Sequence, residues 1–174
     1  MAAAFGVAAF AIVEAGLIIP IPGSGVVTDP REIFTTLGAS FTGPVGGIVI
    51  GLLAGFREPG GIAIASLLAH VSGGLWMGLS YKLLLYNHLE MPFLLAGWVL
   101  LVFIYYYVFA APGFVIGQAI FYHEGFLDSY GAEASLVDAY SILARGVLPE
   151  AILTAVVTTL VIVALPRRHR RPLW

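Results

Sequence analysis

The sequence contains no cysteine and unusually little charge. Its 174 residues include 8 lysines and arginines and 10 aspartates and glutamates, so only 10% of the chain is charged. The missing cysteines exclude disulfides, thiolate catalysis and cysteine-based metal sites. A soluble domain would carry about 25% charged residues, so this chain lacks the polar side chains needed to cover a surface that faces water. The net charge of −2 offers no basic face for nucleic acid.

Signatures of catalysis and of metal binding are missing as well. The sequence has no Ser/His/Asp arrangement, no HExxH motif and no Walker loop. Its four histidines, at positions 70, 88, 123 and 169, are scattered at no metal-ligand spacing. We therefore expect a protein that is not an enzyme and that uses neither a metal nor a cofactor.

Long apolar runs are what the sequence does contain. Hydrophobic residues make up 60% of the chain, and the mean hydropathy is +0.97. The first run lacks the positively charged start of a signal peptide, so we expect a retained transmembrane helix there. We predict one all-α polytopic domain in the lipid bilayer of the cell membrane. The apolar runs cover residues 2–19, 33–56, 62–86, 91–122 and 146–165.

The stretch from Thr28 to Phe56 is the most informative of these. Its sequence is TDPREIFTTLGASFTGPVGGIVIGLLAGF, with glycines at 43, 47, 51 and 55 on one face of a helix. Such a face lets a second helix approach closely in lipid. Gly43-Pro44 interrupts the run, because proline lacks an N–H and clashes with the preceding turn. One broken span would give five transmembrane helices with Met1 outside, whereas two short helices would give six with both termini inside.

The charges predict the orientation of the chain. Four arginines between positions 167 and 171 follow the last apolar run, so we expect a cytoplasmic C-terminus. Working backward, the connection 123–145 then lies outside. It carries four acidic residues and only Arg145 as a cation, which agrees with that side.

Small residues and helix breaks along the chain resemble those of a known family. An Ala-xxx-Ala first helix precedes the loop IPIPGSGVV, a short helix DPREIFTTLGASF, the Gly-Pro break and a glycine-rich helix VGGIVIGLLAGF. This order resembles the substrate-binding S component of the energy-coupling factor (ECF) vitamin transporters. The resemblance implies a compact bundle of six transmembrane helices, in which helices 2 and 3 are short and meet at Gly43-Pro44. The helices are expected at about 2–19, 30–43, 44–56, 61–86, 91–122 and 144–166, with a basic tail at 167–174.

The resemblance also implies a function and partners. An S component captures a vitamin-like small molecule from outside and docks on a membrane coupling protein, with ATPase subunits on separate chains. The docking residues implied here lie on one face of the first helix. They are Ala4, Ala8, Ala11 and Ala15.

A second family shares part of the pattern. The stretch DPRE…GASFTGPVGGIVIGLLAGFREPGG is similar to the five-helix membrane region of LytS-type histidine kinases, which continue into cytoplasmic signalling domains. Because the sequence ends at RRHRRPLW, without room for an output module, we expect the transporter subunit. A membrane-embedded ligand sensor and a structural subunit of a larger membrane complex are the alternatives.

Polar side chains inside the apolar runs are the candidate ligand contacts, because such groups are expensive in lipid and often functional. Each has a structural alternative: packing for the histidine, a helix-dipole contact for the glutamate, an interfacial belt for the tyrosines and a solvated turn for the arginine. The resemblance implies an outward pocket built from the first loop (Ile21–Val27) and the outer parts of helices four to six. The predicted ligand-binding residues are His70, Tyr105, Tyr106, Gln118, Glu150 and Arg57.

Overall fold

The computed structural model describes most of the chain, and the following statements concern that part. It comprises residues 1–17, 19–20, 27–28, 30–56, 62–86, 91–131, 133–166, 170 and 172–173.

Most of the described residues are helical, and the strands among them are one antiparallel pair of two residues each, β1 (Ile19–Pro20) and β2 (Val27–Thr28). Two of the helices contain a π-helical segment with i→i+5 bonding, one at Tyr81–Tyr86 and one at Tyr105–Ala110. The helices are α1 (Ala2–Glu14), α2 (Arg31–Gly55), α3 (Ala63–Ser80, continued by Tyr81–Tyr86), α4 (Met91–Ile104), α5 (Ala111–Phe121), α6 (His123–Tyr130), α7 (Leu136–Gly146) and α8 (Leu148–Ala164).

Helix α2 is broken at Gly43, as the sequence predicted. Gly43 has φ 81° and ψ −175°, a conformation essentially restricted to glycine. The Arg31 guanidinium donates a hydrogen bond to the carbonyl of Ala54 at 3.2 Å, whereas a straight helix would separate the two residues by about 35 Å. A Cβ at Gly38 would likewise lie 2.8 Å from the Ile50 side chain. The halves 31–42 and 44–55 are therefore two antiparallel arms of a helical hairpin.

The glycine face of the second arm packs against α3. A methyl group at Gly47 would overlap the carbonyl of Gly74, and one at Gly51 would lie 2.5 Å from the carbonyl of His70. These contacts are backbone against backbone, which no side chain can relieve by changing rotamer. The predicted use of this face for close helix packing is confirmed, with α3 as the partner helix.

Contacts between distant parts of the chain define two ends of the bundle. The Gly43 end holds the hairpin turn, where Gly78 of α3 meets Gly43 and the Tyr81 hydroxyl donates to the carbonyl of Arg170 at 3.0 Å. The amide of Leu173 also donates to the carbonyl of Phe41 there, at 2.9 Å. The opposite Arg31 end holds the start of the first arm and the end of the second. Successive long segments run between these two ends.

Three helical stretches are long and apolar enough to cross a membrane by length and composition, if the whole hairpin Arg31–Gly55 is counted as one stretch although its chain reverses at Gly43. A fourth is added if α7 and α8, which are bent by 48°, count as one span. Within the described residues this arrangement agrees with the predicted multi-pass membrane protein. Helix α1 is shorter, at 13 residues. The three long segments are Arg31–Gly55, Ala63–Tyr86 and Met91–Phe121.

Some predicted boundaries are wrong. The helix expected over 2–19 ends at Glu14, because Gly16 with φ 60° turns the chain out of the helix. The connection 123–145 is not an open loop, since α6 and most of α7 lie within it. A capping box between Ser135 and Asp138 starts α7. The last helix, expected over 144–166, is interrupted at Val147 and covers only Leu148–Ala164 as α8.

Candidate functional site

A chain of three buried polar side chains links three helical segments near the Arg31 end. Glu32 begins the first arm of the hairpin and is 6% exposed, and His70 lies on α3 and is 5% exposed. One carboxylate oxygen of Glu32 is 2.6 Å from Nε2 of His70. The other accepts a short hydrogen bond from the hydroxyl of Tyr105, in the π-helical segment. The three side chains therefore hold the hairpin, α3 and the tyrosine segment together.

The other ring nitrogen of His70, Nδ1, determines where the protons lie among these three side chains. Nδ1 lies 2.7 Å from the carbonyl oxygen of Ser66, which can only accept, so Nδ1 carries a hydrogen. A neutral ring would then direct the lone pair of Nε2 at the carboxylate of Glu32. The contact is favourable only when one further proton is held between the two groups. At 2.6 Å, the ring and the carboxylate form a close charge pair.

Arg31 adds a cation beside this pair. Its side chain is 9% exposed, and its hydrogen bond to the carbonyl of Ala54 places the guanidinium between the two arms of the hairpin. A charge in such an apolar environment is costly unless opposite charges lie near it. Glu32, the adjacent residue in the sequence, supplies one of them.

A second polar group, on α8, faces the same region. The hydroxyl of Tyr106 lies 3.1 Å from a carboxylate oxygen of Glu150 and 2.9 Å from the hydroxyl of Thr154. Tyr105 and Tyr106 are both buried, and their rings meet edge to face at 5.1 Å. The π-helical turn explains how adjacent tyrosines both point inward, because it turns less per residue than an α-helix. Tyr105 thus donates its hydrogen bond to Glu32 of the histidine pair, and Tyr106 donates to Glu150.

These groups line one cleft at the Arg31 end, with a volume of about 170 Å³. Polar groups come from the hairpin, α3, the tyrosine segment and α8, and apolar side chains from α5 and α7 complete the wall. Ionisable groups that converge in a cleft between apolar helices are the usual mark of a ligand site. We call this site the cleft; its lining residues are Arg31, Glu32, Ala69, His70, Tyr106, Ala110, Ala111, Phe114, Leu143, Val147 and Glu150.

The structure brings together four of the six residues predicted to bind a ligand. His70, Tyr106 and Glu150 line the cleft, and Tyr105 lies directly behind it, bonded to Glu32. Gln118 is buried on α5, but it is not among the residues that line the cleft. It lies beyond Phe114, toward the end of the helix, where its amide oxygen has no hydrogen-bond partner among the described residues.

The remaining predicted ligand residue, the predicted first loop and the predicted docking face lie elsewhere. Arg57 and most of the loop Ile21–Val27 lie outside the described residues. The four alanines predicted to dock a partner lie on α1 or immediately after it. Ala4, Ala11 and Ala15 are exposed and Ala8 is half-buried, so the bundle leaves most of this face uncovered.

Sequence reasoning missed Arg31 and Glu32. An Asp-Pro-Arg-Glu start looks like an ordinary charged helix N-terminus at a membrane surface, where acidic residues are favoured by the helix dipole. Their burial depends on the hairpin, which folds the second arm back beside them. The available signal was their position at the start of a helix that the predicted Gly-Pro break ends about three turns later, because such a helix is too short to cross a membrane alone.

Comparison of the chain with protein-family models, with curated proteins and with solved structures gives no match.

Proposed function

We propose that the chain is a membrane-embedded subunit that binds a small molecule in the cleft. The observation that carries this proposal is the convergence of Arg31, the Glu32–His70 pair and Glu150 on one opening of an otherwise apolar bundle. Burying three of these ionisable groups and half-burying the fourth, Glu150, costs stability that the helices would not otherwise lose. A ligand that needs these groups provides a reason for their presence.

The proposed topology has six crossings. Each arm of the hairpin has about 12 residues and rises about 18 Å, less than the roughly 30 Å hydrocarbon core of a bilayer. Packing of both arms against α1 and α3 shields them from lipid, which makes short crossings tolerable. The order α1, first arm, second arm, α3, the segment 91–121 and α8 then alternates direction, so the Met1 and Arg170 regions lie at the Gly43 end.

The basic residues orient this bundle in the proposed topology. Arg170 lies at the Gly43 end, and the sequence has three further arginines within four positions of it. Positive residues next to a span favour the cytoplasmic side. The Gly43 end is therefore cytoplasmic in this proposal, and the cleft opens toward the outside. This orientation suits capture of a solute from outside the cell.

The proposed role is that of an ECF-type uptake subunit. Its cargo would be a vitamin-like molecule, and its partners would be a membrane coupling protein and ATPase subunits. Support comes from the small-residue pattern of the chain and from the exposed alanine face of α1, where a partner helix can approach closely. The coupling protein would bind this face while the cleft, on the other side of the hairpin, holds the ligand.

The docking step is tested by placing larger side chains on the alanine face of α1. We expect Ala8→Leu or Ala11→Leu to abolish recovery of ATPase subunits with the purified protein, while ligand affinity stays unchanged. Ala3→Leu is the matched control, because Ala3 is also exposed and lies roughly 100° around the helix from Ala4. Normal recovery of the partners from both test variants contradicts the docking role.

Transport itself is tested by uptake. Cells that express the chain with its ATPase partners should accumulate the ligand, and a Glu150→Gln variant should accumulate far less. If the purified protein binds a ligand but the same cells show no uptake, the chain is a sensor of the LytS kind. If it binds no ligand and is recovered only with permanent protein partners, it is a structural subunit.

A further inference from the structure

The imidazole of His70 lies between two oxygen atoms that both require a hydrogen from it. The carbonyl oxygen of Ser66 is 2.7 Å from Nδ1, and a carboxylate oxygen of Glu32 is 2.6 Å from Nε2. The hydroxyl of Ser66 is farther from Nδ1, at 3.3 Å, so the carbonyl decides that this nitrogen carries a hydrogen. A neutral imidazole has a single ring hydrogen and can satisfy only one of the two oxygens. Both contacts are satisfied when Glu32 and His70 together hold one additional proton.

That proton can lie on either group, as an imidazolium beside a carboxylate or as a neutral ring beside a carboxylic acid. The pair has no net charge in either form. Without the proton, a carboxylate would face the lone pair of Nε2, although the two side chains are only 8% and 7% exposed. The second oxygen of Glu32 is already bonded to the hydroxyl of Tyr105. Loss of the proton would therefore leave a buried charge and a broken contact, which is strongly unfavourable.

The charged and titratable neighbours of the pair come from several elements. Those near it are Arg31 of the hairpin, Tyr105 and Tyr106 of the tyrosine segment and Glu150 of α8. The ionisable residues of the adjoining helices α1 and α7 are exposed, and they are Glu14, Asp138 and Arg145. Arginine keeps its charge and tyrosine stays neutral near neutral pH. Glu150 is therefore the neighbour whose titration an experiment must separate from that of the pair.

The two arms of the hairpin are attached to α3 in different ways. The second arm packs through backbone, since a methyl group at Gly51 would lie 2.5 Å from the carbonyl of His70 and one at Gly55 would lie 2.8 Å from the backbone of Leu67. These contacts do not depend on charge. Glu32, in contrast, supplies polar contacts that join the start of the first arm to α3 and to the tyrosine segment. A change in the pair should therefore move the first arm and leave the second in place.

We propose that Glu32 and His70 form a buried proton-binding site that holds the start of the first arm against α3. With the proton bound, this wall of the cleft is closed. Release of the proton separates the two side chains, and the wall opens because both residues line the cleft. The site goes beyond the proposed ligand-binding function and does not depend on it, since the proton is held whether or not a ligand is present.

Reversible unfolding of the purified protein in bicelles at increasing pH counts the proton. Above about pH 7.5 a free histidine is neutral and a free glutamate is ionised, so the unfolded chain lacks the proton that the native pair holds. Stability should then fall as the pH rises. In Glu32→Gln the amide can donate to the neutral ring, so no additional proton is needed. The unfolding constant of the unaltered protein, divided by that of Glu32→Gln, should rise about threefold to tenfold per pH unit.

Two control variants assign the proton to the pair. Glu150→Gln removes the half-buried carboxylate of the cleft, and His123→Gln removes an exposed imidazole on α6. Both should keep the pH dependence of the unaltered protein. A ratio that stays constant above about pH 7.5 overturns the proton site, because no additional proton is then held. A pH dependence that disappears in Glu150→Gln also overturns it, because the proton then belongs to that carboxylate.

The opening is tested by spin-label distances in the folded protein, which the absence of cysteine makes straightforward. Labels at Phe34→Cys on the first arm and Leu68→Cys on α3 should move apart reversibly as the pH rises, and they should stay in place when Glu32→Gln is added. Labels at Leu52→Cys on the second arm and Ile64→Cys on α3 are the matched control, because these two positions are also exposed and their distance should not change.

An unchanged distance between the first pair of labels, at pH values where the unfolding ratio rises no further, overturns the proposed opening. An equal increase for both pairs does so as well, because the whole hairpin would then move. Neither experiment uses a ligand. Their failure is thus distinct from failure of the proposed function, which would appear as the absence of any bound molecule in native mass spectrometry.

Discussion

Breaking the Glu32–His70 pair should destabilise the fold by more than an ordinary hydrogen bond can explain. His70→Phe keeps a ring of similar size but removes the proton-bearing nitrogens, and Glu32 is left as a buried carboxylate that keeps the hydrogen bond from Tyr105 and the nearby Arg31 cation but loses its closest charge partner. Removing one partner of a buried pair costs about 3–5 kcal/mol. We expect a loss of unfolding free energy in that range.

The opposite substitution should cost less. In Glu32→Gln the amide still accepts from Tyr105 and can donate to a neutral His70 ring, so the histidine keeps a partner, and the added cost is that Arg31 loses one neighbouring carboxylate. We expect a loss of about 1–2 kcal/mol. The double variant removes both charges, and its cost should fall well below the sum of the two single variants. The expected coupling free energy is at least about 2 kcal/mol.

This coupling is measured by a double-mutant cycle on reversible unfolding in bicelles, followed by steric trapping. Interhelical hydrogen bonds in membranes average about 0.6 kcal/mol in such cycles, so a coupling near 2 kcal/mol or more distinguishes a charge pair from a neutral bond. Additivity of the single variants within about 0.5 kcal/mol would refute the reasoning, because it would mean that the two groups do not interact.

Further predictions test the two packing features that shape the bundle. Gly47→Ala should destabilise the protein by about 1–3 kcal/mol in the same unfolding assay, because its methyl group overlaps the Gly74 carbonyl. Gly146→Ala is the control, because a methyl group at Gly146 meets no atom within 4 Å, and it should be neutral or slightly stabilising. Equal losses of unfolding free energy at both sites would contradict the packing account. Arg170→Gln removes donors to the carbonyls of Val163 and Leu165, so amide exchange at Leu173 should accelerate; unchanged exchange would show that the tail is held by other contacts.

The sequence predicted the features that depend on local chemistry. The break at Gly43-Pro44 follows from what proline and glycine do to any helix, and the structure has it at that residue. The cost of polar groups in lipid drew attention to His70 and Glu150, and the resemblance added Tyr106; all three line the cleft.

Features that depend on how segments fold back were harder to predict. Glu32 becomes the partner of His70 only because the hairpin brings 31–42 beside α3, and no local pattern reports that distance. Tyr105 and Tyr106 were both predicted to bind a ligand, but an α-helix turns about 100° per residue and gives no reason for adjacent side chains to point inward together; the π-helical segment supplies that reason. Helix α7, by contrast, carried a readable signal in the Ser135–Asp138 capping box.

The exposed face of α1 illustrates a different limit. Alanines at 4, 8, 11 and 15 predicted a packing surface, and most of that surface is left uncovered by the rest of the bundle. A small-residue face has the same appearance whether it meets a coupling protein, a second membrane partner or lipid. Its role therefore stays a prediction until a partner is recovered.

The central claim is that the cleft holds a small molecule, and native mass spectrometry of protein purified from its own membrane tests it most directly. Leu143→Trp places a large ring in the cleft, whereas Ile142→Trp makes the same change at an exposed neighbour that does not line it. We predict that the unaltered protein and Ile142→Trp release the same small molecule and that Leu143→Trp has lost it. A molecule retained by Leu143→Trp, or absent from the unaltered protein, would contradict the claim.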